Sequence, residues 1–138
     1  MSHLKKDEPI HSIDTVACLF GITKRCLNLY DTIGLVRPKK VGNEKKYSPE
    51  DVCKIEYIHY LSAVRKVEIK GLSVIMELLD CMNDKDRAFV FERCHADMND
   101  DNLKTRDVAD KASKRIIREI LDNSIEYHIN NSKQEDRI

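Results

Sequence analysis

The chain has no tryptophan, and only four glycines and three prolines among 138 residues. With so few breakers and with Lys, Arg, Glu, Leu and Ile abundant, helices are the favoured local structure. Net charge is missing too, because 24 Lys and Arg balance 24 Asp and Glu. That balance removes the simple inference from overall basicity to nucleic acid, so any such inference must rest on where the charges lie. The longest strictly apolar run is Val16 to Phe20, far short of the roughly 20 residues that cross a bilayer. No membrane partner is therefore expected. Met1 to Glu8 is polar and lacks the apolar stretch of an export signal. The cysteines at 18, 26, 53, 81 and 94 are odd in number and contain no C-x-x-C pair. This usage predicts reduced thiols in a cytoplasm, most of them acting as small buried apolar groups.

What is present is enough apolar content, 41%, for one compact domain with an appended arm. Charge is unevenly spread within it. Between Phe20 and Tyr47 stand Lys24, Arg25, Arg37, Lys39, Lys40, Lys45 and Lys46 against only Asp31 and Glu44, a local net of +5. A neutral chain with one concentrated basic stretch is the electrostatic footprint of a small nucleic-acid binder. An ordinary solvated face has the same composition, so the placement of the charges on elements must decide.

Ile13, Val16, Ala17 and Phe20 recur at i, i+3, i+4 and i+7, predicting a short helix capped by Ser12 or Asp14 and ended by Gly21. Thr23 caps a second helix, with Leu27 and Tyr30 inward, Lys24, Arg25 and Asn28 outward, and Gly34 as its stop. Two short helices around a tight glycine turn form a helix-turn-helix, whose second helix commonly enters the DNA major groove. Leu35 to Tyr47 then reads as two extended runs around Gly42-Asn43, a basic hairpin or wing. Pro38 suits an edge strand. Ser48-Pro49-Glu50-Asp51 opens a third helix, with Val52, Ile55, Ile58 and Leu61 on its inner face. Val67 to Lys70 is expected to connect it to a fourth, carrying Leu72, Ile75, Met76 and Leu79.

Beyond Met82, Asn83-Asp84 can cap a short helix bearing Phe89, Val90 and Cys94, and Met98 to Asn102 reads as a break. Asn102 to Asn130 is free of Gly and Pro and carries an apolar stripe that includes Val108, Ala112, Ile116, Ile120, Ile125 and Ile129. Such a stripe must be covered, by the same helix of a second copy or by the body of its own domain. The expected division is a flexible N-terminus at 1–10, a winged helix-turn-helix at 11–82, a linker helix and dimerisation helix at 83–130, and a frayed tail at 131–138. The fold class is mainly α, with a small β-hairpin wing and a C-terminal dimerisation helix. The dimer interface is assigned to Val108, Ala112, Ile116, Ile120 and Ile125.

Three strings in this order resemble the MerR family of bacterial transcription regulators. They are Ser12-Ile13-x-x-Val16-Ala17, then Gly21-Ile22-Thr23-x-x-x-Leu27-x-x-Tyr30-Asp31-x-x-Gly34-Leu35-Val36-x-Pro38, then Lys46-Tyr47-Ser48-x-x-Asp51-Val52. The stretch from Val67 through Leu78 is similar to the heat-shock repressor (HspR) and nitrogen regulator (GlnR) branch. The resemblance implies a homodimer on double-stranded DNA at a palindromic promoter site, with RNA polymerase or a chaperone as further partners. It implies DNA contacts from Lys24, Arg25, Asn28, Tyr30, Lys45, Lys46, Tyr47, Arg65 and Lys66, although core packing competes for Tyr47. Asn28 and Leu29 stand where the family usually has an arginine and an aromatic residue, and Lys46 stands where it usually has an arginine. The basic task is then expected to fall on Lys24 and Arg25.

The residues admit two other classes. Cys81, Cys94 and His95 could hold a soft metal, but Cys94 and His95 are adjacent and diverge by about 100° on a helix. No metal and no cofactor is therefore assigned. A chaperone modulator of the CbpM type is similar in helix arrangement and binds protein instead of DNA. An enzyme is not expected: the chain lacks a phosphate-binding glycine loop and an activated-serine motif. Its histidines and its Glu56, Glu77 and Glu92 show no catalytic spacing.

Overall fold

A computed structural model describes residues 6–135, and for residues 124–135 it gives the helical backbone alone. The elements in order are β1 (His11–Ser12), α1 (Ile13–Phe20), α2 (Lys24–Thr32), β2 (Lys39–Val41), β3 (Glu44–Tyr47), α3 (Pro49–Ala63), α4 (Ile69–Cys81), α5 (Asp84–Asp100) and α6 (Thr105–Glu135).

The caps do what their sequence requires. Ser12 Oγ accepts from the Thr15 amide, Thr23 Oγ1 from Cys26, and Asn83 Oδ1 from Asp86, each satisfying a first-turn donor. Ser48 and Asp51 form a reciprocal capping box behind Pro49. Gly21 ends α1 in the left-handed region at φ 67°, where a side chain would be strained. The fourth helix begins at Ile69, inside the stretch expected to be a connection.

The wing is a three-stranded antiparallel sheet in the order β1-β3-β2. His11 pairs with Tyr47 and Ser12 with Lys46, so the residues leading into α1 add a strand that no hairpin signal announced. Residues of the segment expected to be a flexible N-terminus, 1–10, also make contacts. The Ile10 amide donates to the Tyr47 carbonyl at 3.2 Å, the Glu50 amide to the Lys6 carbonyl at 3.0 Å, and Lys6 pairs with Asp84 at 2.7 Å. Residues 1–5 lie outside the described residues.

The third helix is the hub of the core, with Ile55, Ile58, His59, Tyr60, Leu61, Ser62 and Ala63 all buried. One of its faces is covered by α6. Val108, Ala112 and Ile116, expected at a dimer interface, are buried in the chain's own core together with Ala109, and Ile120 packs at its edge. Of the two possible covers for the stripe, the body of the domain takes these turns. The physical reason is that α3 presents apolar side chains on more faces than α4 and α5 can cover. Ile125 lies outside the residues whose side chains are described. The α6 backbone is helical through Glu135, into the segment expected to be a frayed tail at 131–138, and residues 136–138 lie outside the description. The break falls between α5 and α6, with Asn102 at φ 54°. Met98, placed in that break by sequence, is instead buried in the last turn of α5. Among the described residues, no helix is long and apolar enough to cross a membrane.

Candidate nucleic-acid interface

The second helix has nine residues, and its 3.6-residue period decides which side chains face out. Cys26, Leu27 and Tyr30 are buried, whereas Lys24, Arg25 and Asn28 are exposed. Thus the outward face carries the three side chains that sequence placed there.

The wing is tied to this helix by one lysine. Lys45 Nζ lies 2.9 Å from Asn28 Oδ1 and 2.9 Å from Asp31 Oδ2. Both partners are on α2, so the ammonium sets the spacing between the sheet and the outward face. Ser12, Ile13, Asp14, Lys24, Asn28, Asn43, Glu44 and Lys45 line a cleft of about 490 Å³ between α1, α2 and the turn of the wing. Two more lysines have acidic neighbours, Lys24 with Asp14 at 2.8 Å and Lys46 with Glu44 at 3.2 Å. These acids are exposed, and such pairs stabilise little and exchange readily. Among the described residues, Arg25, Arg37, Lys39 and Lys40 are exposed and form no ion pair. Three of these four were counted in the sequence only as charge.

Two expected contact residues belong to the core. Tyr30 is 0% exposed, and its hydroxyl shares a 2.9 Å hydrogen bond with His59 Nε2 on α3. Burial, helped by the Cys26 thiol, lifts the Tyr30 hydroxyl far above its ordinary value, so it stays neutral. Burial also lowers His59 to about 3, so the imidazole is neutral. Tyr47 is 1% exposed, and among the described residues its hydroxyl has no partner. Burial, with Asp31 and Asp51 adding, pushes it up to about 12. Each ring fills the space between the wing or α2 and α3.

Arg65 and Lys66 are exposed but sit beyond the C-terminal end of α3, whereas the wing joins its N-terminal end. Fifteen helical residues, about 22 Å, separate the two ends. Arg65 lies over the Tyr60 ring and donates through Nε to the Tyr60 hydroxyl at 3.0 Å. The structure does not bring these two residues into the cleft. His59 and Asp31 were the functional supports that sequence reading missed, since neither lies on a stripe whose period announces it.

The alternative metal set is not assembled. Cys94 is buried, Cys81 is exposed at the end of α4, and His95 Nδ1 lies 2.8 Å from Glu56. Among the described residues, no group of three or more His, Cys, Asp or Glu side chains is placed to hold a metal ion.

Comparison with known proteins agrees with this geometry. The sequence profile described as "MerR HTH family regulatory protein" matches residues 11–79. Over 76 residues, 54% of this chain and 50% of the relative, the sequence is 32% identical to a protein of Streptomyces coelicolor provisionally named heat shock protein HspR. The chain thus spans half the length of that curated relative. No solved structure matches it.

Proposed function

The chain belongs to the MerR family of helix-turn-helix regulatory proteins, and we propose that it regulates transcription by gripping double-stranded DNA, on the HspR-like side of the family. The observation that carries this reading is the outward face of Lys24, Arg25 and Asn28, held beside a basic wing by the Lys45 bridge to Asn28 and Asp31. In this reading α2 enters the major groove, and Arg25 and Asn28 address base edges or phosphates. Lys24 exchanges Asp14 for a phosphate. Lys39, Lys40 and Lys46 on the sheet meet the backbone. The five free thiols suit a reducing cytoplasm.

Two copies on an inverted repeat complete the proposal. With the first turns of α6 buried against α3, support for a homodimer moves to the distal turns. There Leu121 is 57% exposed, and Ile125 and Ile129 follow it in sequence at four-residue spacing. If each copy neutralises about four phosphates, log affinity falls with log salt at a slope of about −7. RNA polymerase or a chaperone would be a further partner at the promoter.

Selection of bound sequences from a random duplex pool tests the reading, with enrichment of an inverted repeat expected. Lys24→Ala combined with Arg25→Ala is expected to weaken binding at least tenfold with the fold intact. Unchanged binding would show that α2 does not read the groove.

A second reading, a CbpM-like module that binds protein without DNA, draws on the acids beside Lys24, Lys45 and Lys46. Salt-sensitive retention on random duplex DNA separates the two, since a protein-only module would pass through.

A further inference from the structure

The first helix has eight residues and no basic side chain in its last turn. Its final carbonyls carry the negative end of the helix dipole. The Gly21 amide returns to the Cys18 carbonyl at 3.3 Å and the Ile22 amide to the Ala17 carbonyl at 3.1 Å. A further donor arrives from 88 residues away, where Arg106 Nη2 meets the Cys18 carbonyl at 2.6 Å. The same side chain lies along the turn between α1 and α2. A β-carbon on Gly21 would sit 3.6 Å from Arg106 Cγ.

Arg106 stands in the first turn of α6, and the next turns are locked into the core through Val108, Ala109, Ala112 and Ile116. The guanidinium is therefore carried by a helix that cannot slide. Farther along α6, the Glu119 carboxylate accepts from the Ile69 amide at 3.0 and 3.1 Å. That amide opens α4, whose own N-cap, Glu68, makes no side-chain cap. One helix thus supplies a cation to a helix C-terminus and an anion to a helix N-terminus. Both are the favourable sense for the dipole.

We propose that Arg106 is a positioning residue for DNA reading: from α6 it sets the angle of the helix-turn-helix corner, and so the aim of Lys24, Arg25 and Asn28. The role rests on the DNA-binding reading above. Arg106 lies outside the segment that matches the family, so the corner is aimed by a part of the chain that the family pattern does not include.

Arg106→Met tests this in the full chain, because it keeps the aliphatic stem over the turn and removes the donors. Arg106→Lys keeps the charge and gathers its donors on a single nitrogen. The probes are a duplex carrying the selected sequence and a random duplex. In Arg106→Met, exchange of the Gly21 and Ile22 amides is expected to accelerate at least fivefold. Affinity for the selected duplex should fall about tenfold, and affinity for the random duplex less than twofold, at unchanged salt slope. Arg106→Lys should restore most of both effects. Should Arg106→Met fail to fold, Arg106→Lys carries the test through a roughly threefold loss confined to the selected duplex. Equal weakening of both duplexes, with a slope shallower by about 1.8 for the two copies, would show instead that Arg106 touches a phosphate itself. Unchanged exchange and unchanged affinity would overturn the clamp. A wild-type chain that retains no duplex sinks the DNA reading, and the positioning role with it.

Discussion

The Tyr30 hydroxyl and His59 Nε2 lie 2.9 Å apart where neither residue reaches solvent. Phe20 of α1 closes the same place, its ring edge-on to His59 at 5.2 Å. The hub helix therefore holds both helices of the reading head through one neutral imidazole. A bound proton would put an uncompensated charge there.

That arrangement makes stability fall in acid. His59 is held neutral down to about 3, while in the unfolded chain it takes a proton near its ordinary value of 6.5. Below 6.5 the unfolded state binds more protons, so stability declines as pH drops towards 3, with a limiting slope of about 1.4 kcal/mol per pH unit. Urea midpoints measured from pH 7 to pH 4 are expected to show this decline. His59→Gln should flatten it, and an equally steep decline in that variant would remove His59 as its source.

Tyr47→Phe is expected to leave DNA affinity within twofold of wild type and to raise stability by about 1 kcal/mol. The hydroxyl it removes is buried without a partner among the described residues, and such a group is a desolvation penalty with no return. Denaturant titration and duplex binding of the same sample check both parts. A large loss of affinity would restore Tyr47 as a contact residue.

Ile116→Ala is expected to destabilise the chain by about 2–5 kcal/mol, the usual cost of emptying a packed core position. Ile116 is 1% exposed within a single copy. The loss should therefore be the same at low and high protein concentration, whereas a subunit contact would make it concentration-dependent. Thermal midpoints over a hundredfold dilution series distinguish these.

Lys39→Ala with Lys40→Ala is expected to weaken all duplexes alike and to make the salt slope shallower by about 3.6, since each removes one backbone contact in each of the two copies. Both lysines are exposed on the edge strand. Lys46→Ala should cost more than the one backbone contact it removes, because it also leaves the acid Glu44 that it now neutralises facing the phosphates. Preferential loss on the selected sequence would instead mean that the wing reads bases.

The helix starts were legible because a cap is a local affair: Ser12, Thr23, Ser48 and Asn83 each bond an amide within three residues. The outward residues of α2 were legible for the same reason, since a period of 3.6 sorts a nine-residue helix without knowledge of its neighbours. Tyr30 and Tyr47, expected as contacts, are buried. An amphipathic ring can end in solvent or in a core, and its own position in sequence does not say which. That Arg65 lies away from the cleft was not legible, because the distance along α3 matters only once the helix is laid beside the wing.

The order of the helices, the boundaries of the two short ones and the basic composition of the reading head followed from sequence alone, because turns, caps and periodicity act over a few residues. The cover of α3 did not. An apolar stripe records that a surface must be buried, and burial is non-directional, so the stripe carries no mark of its partner. Only the packed structure decided that α6 turns back onto its own domain and brings Arg106 to the corner it clamps.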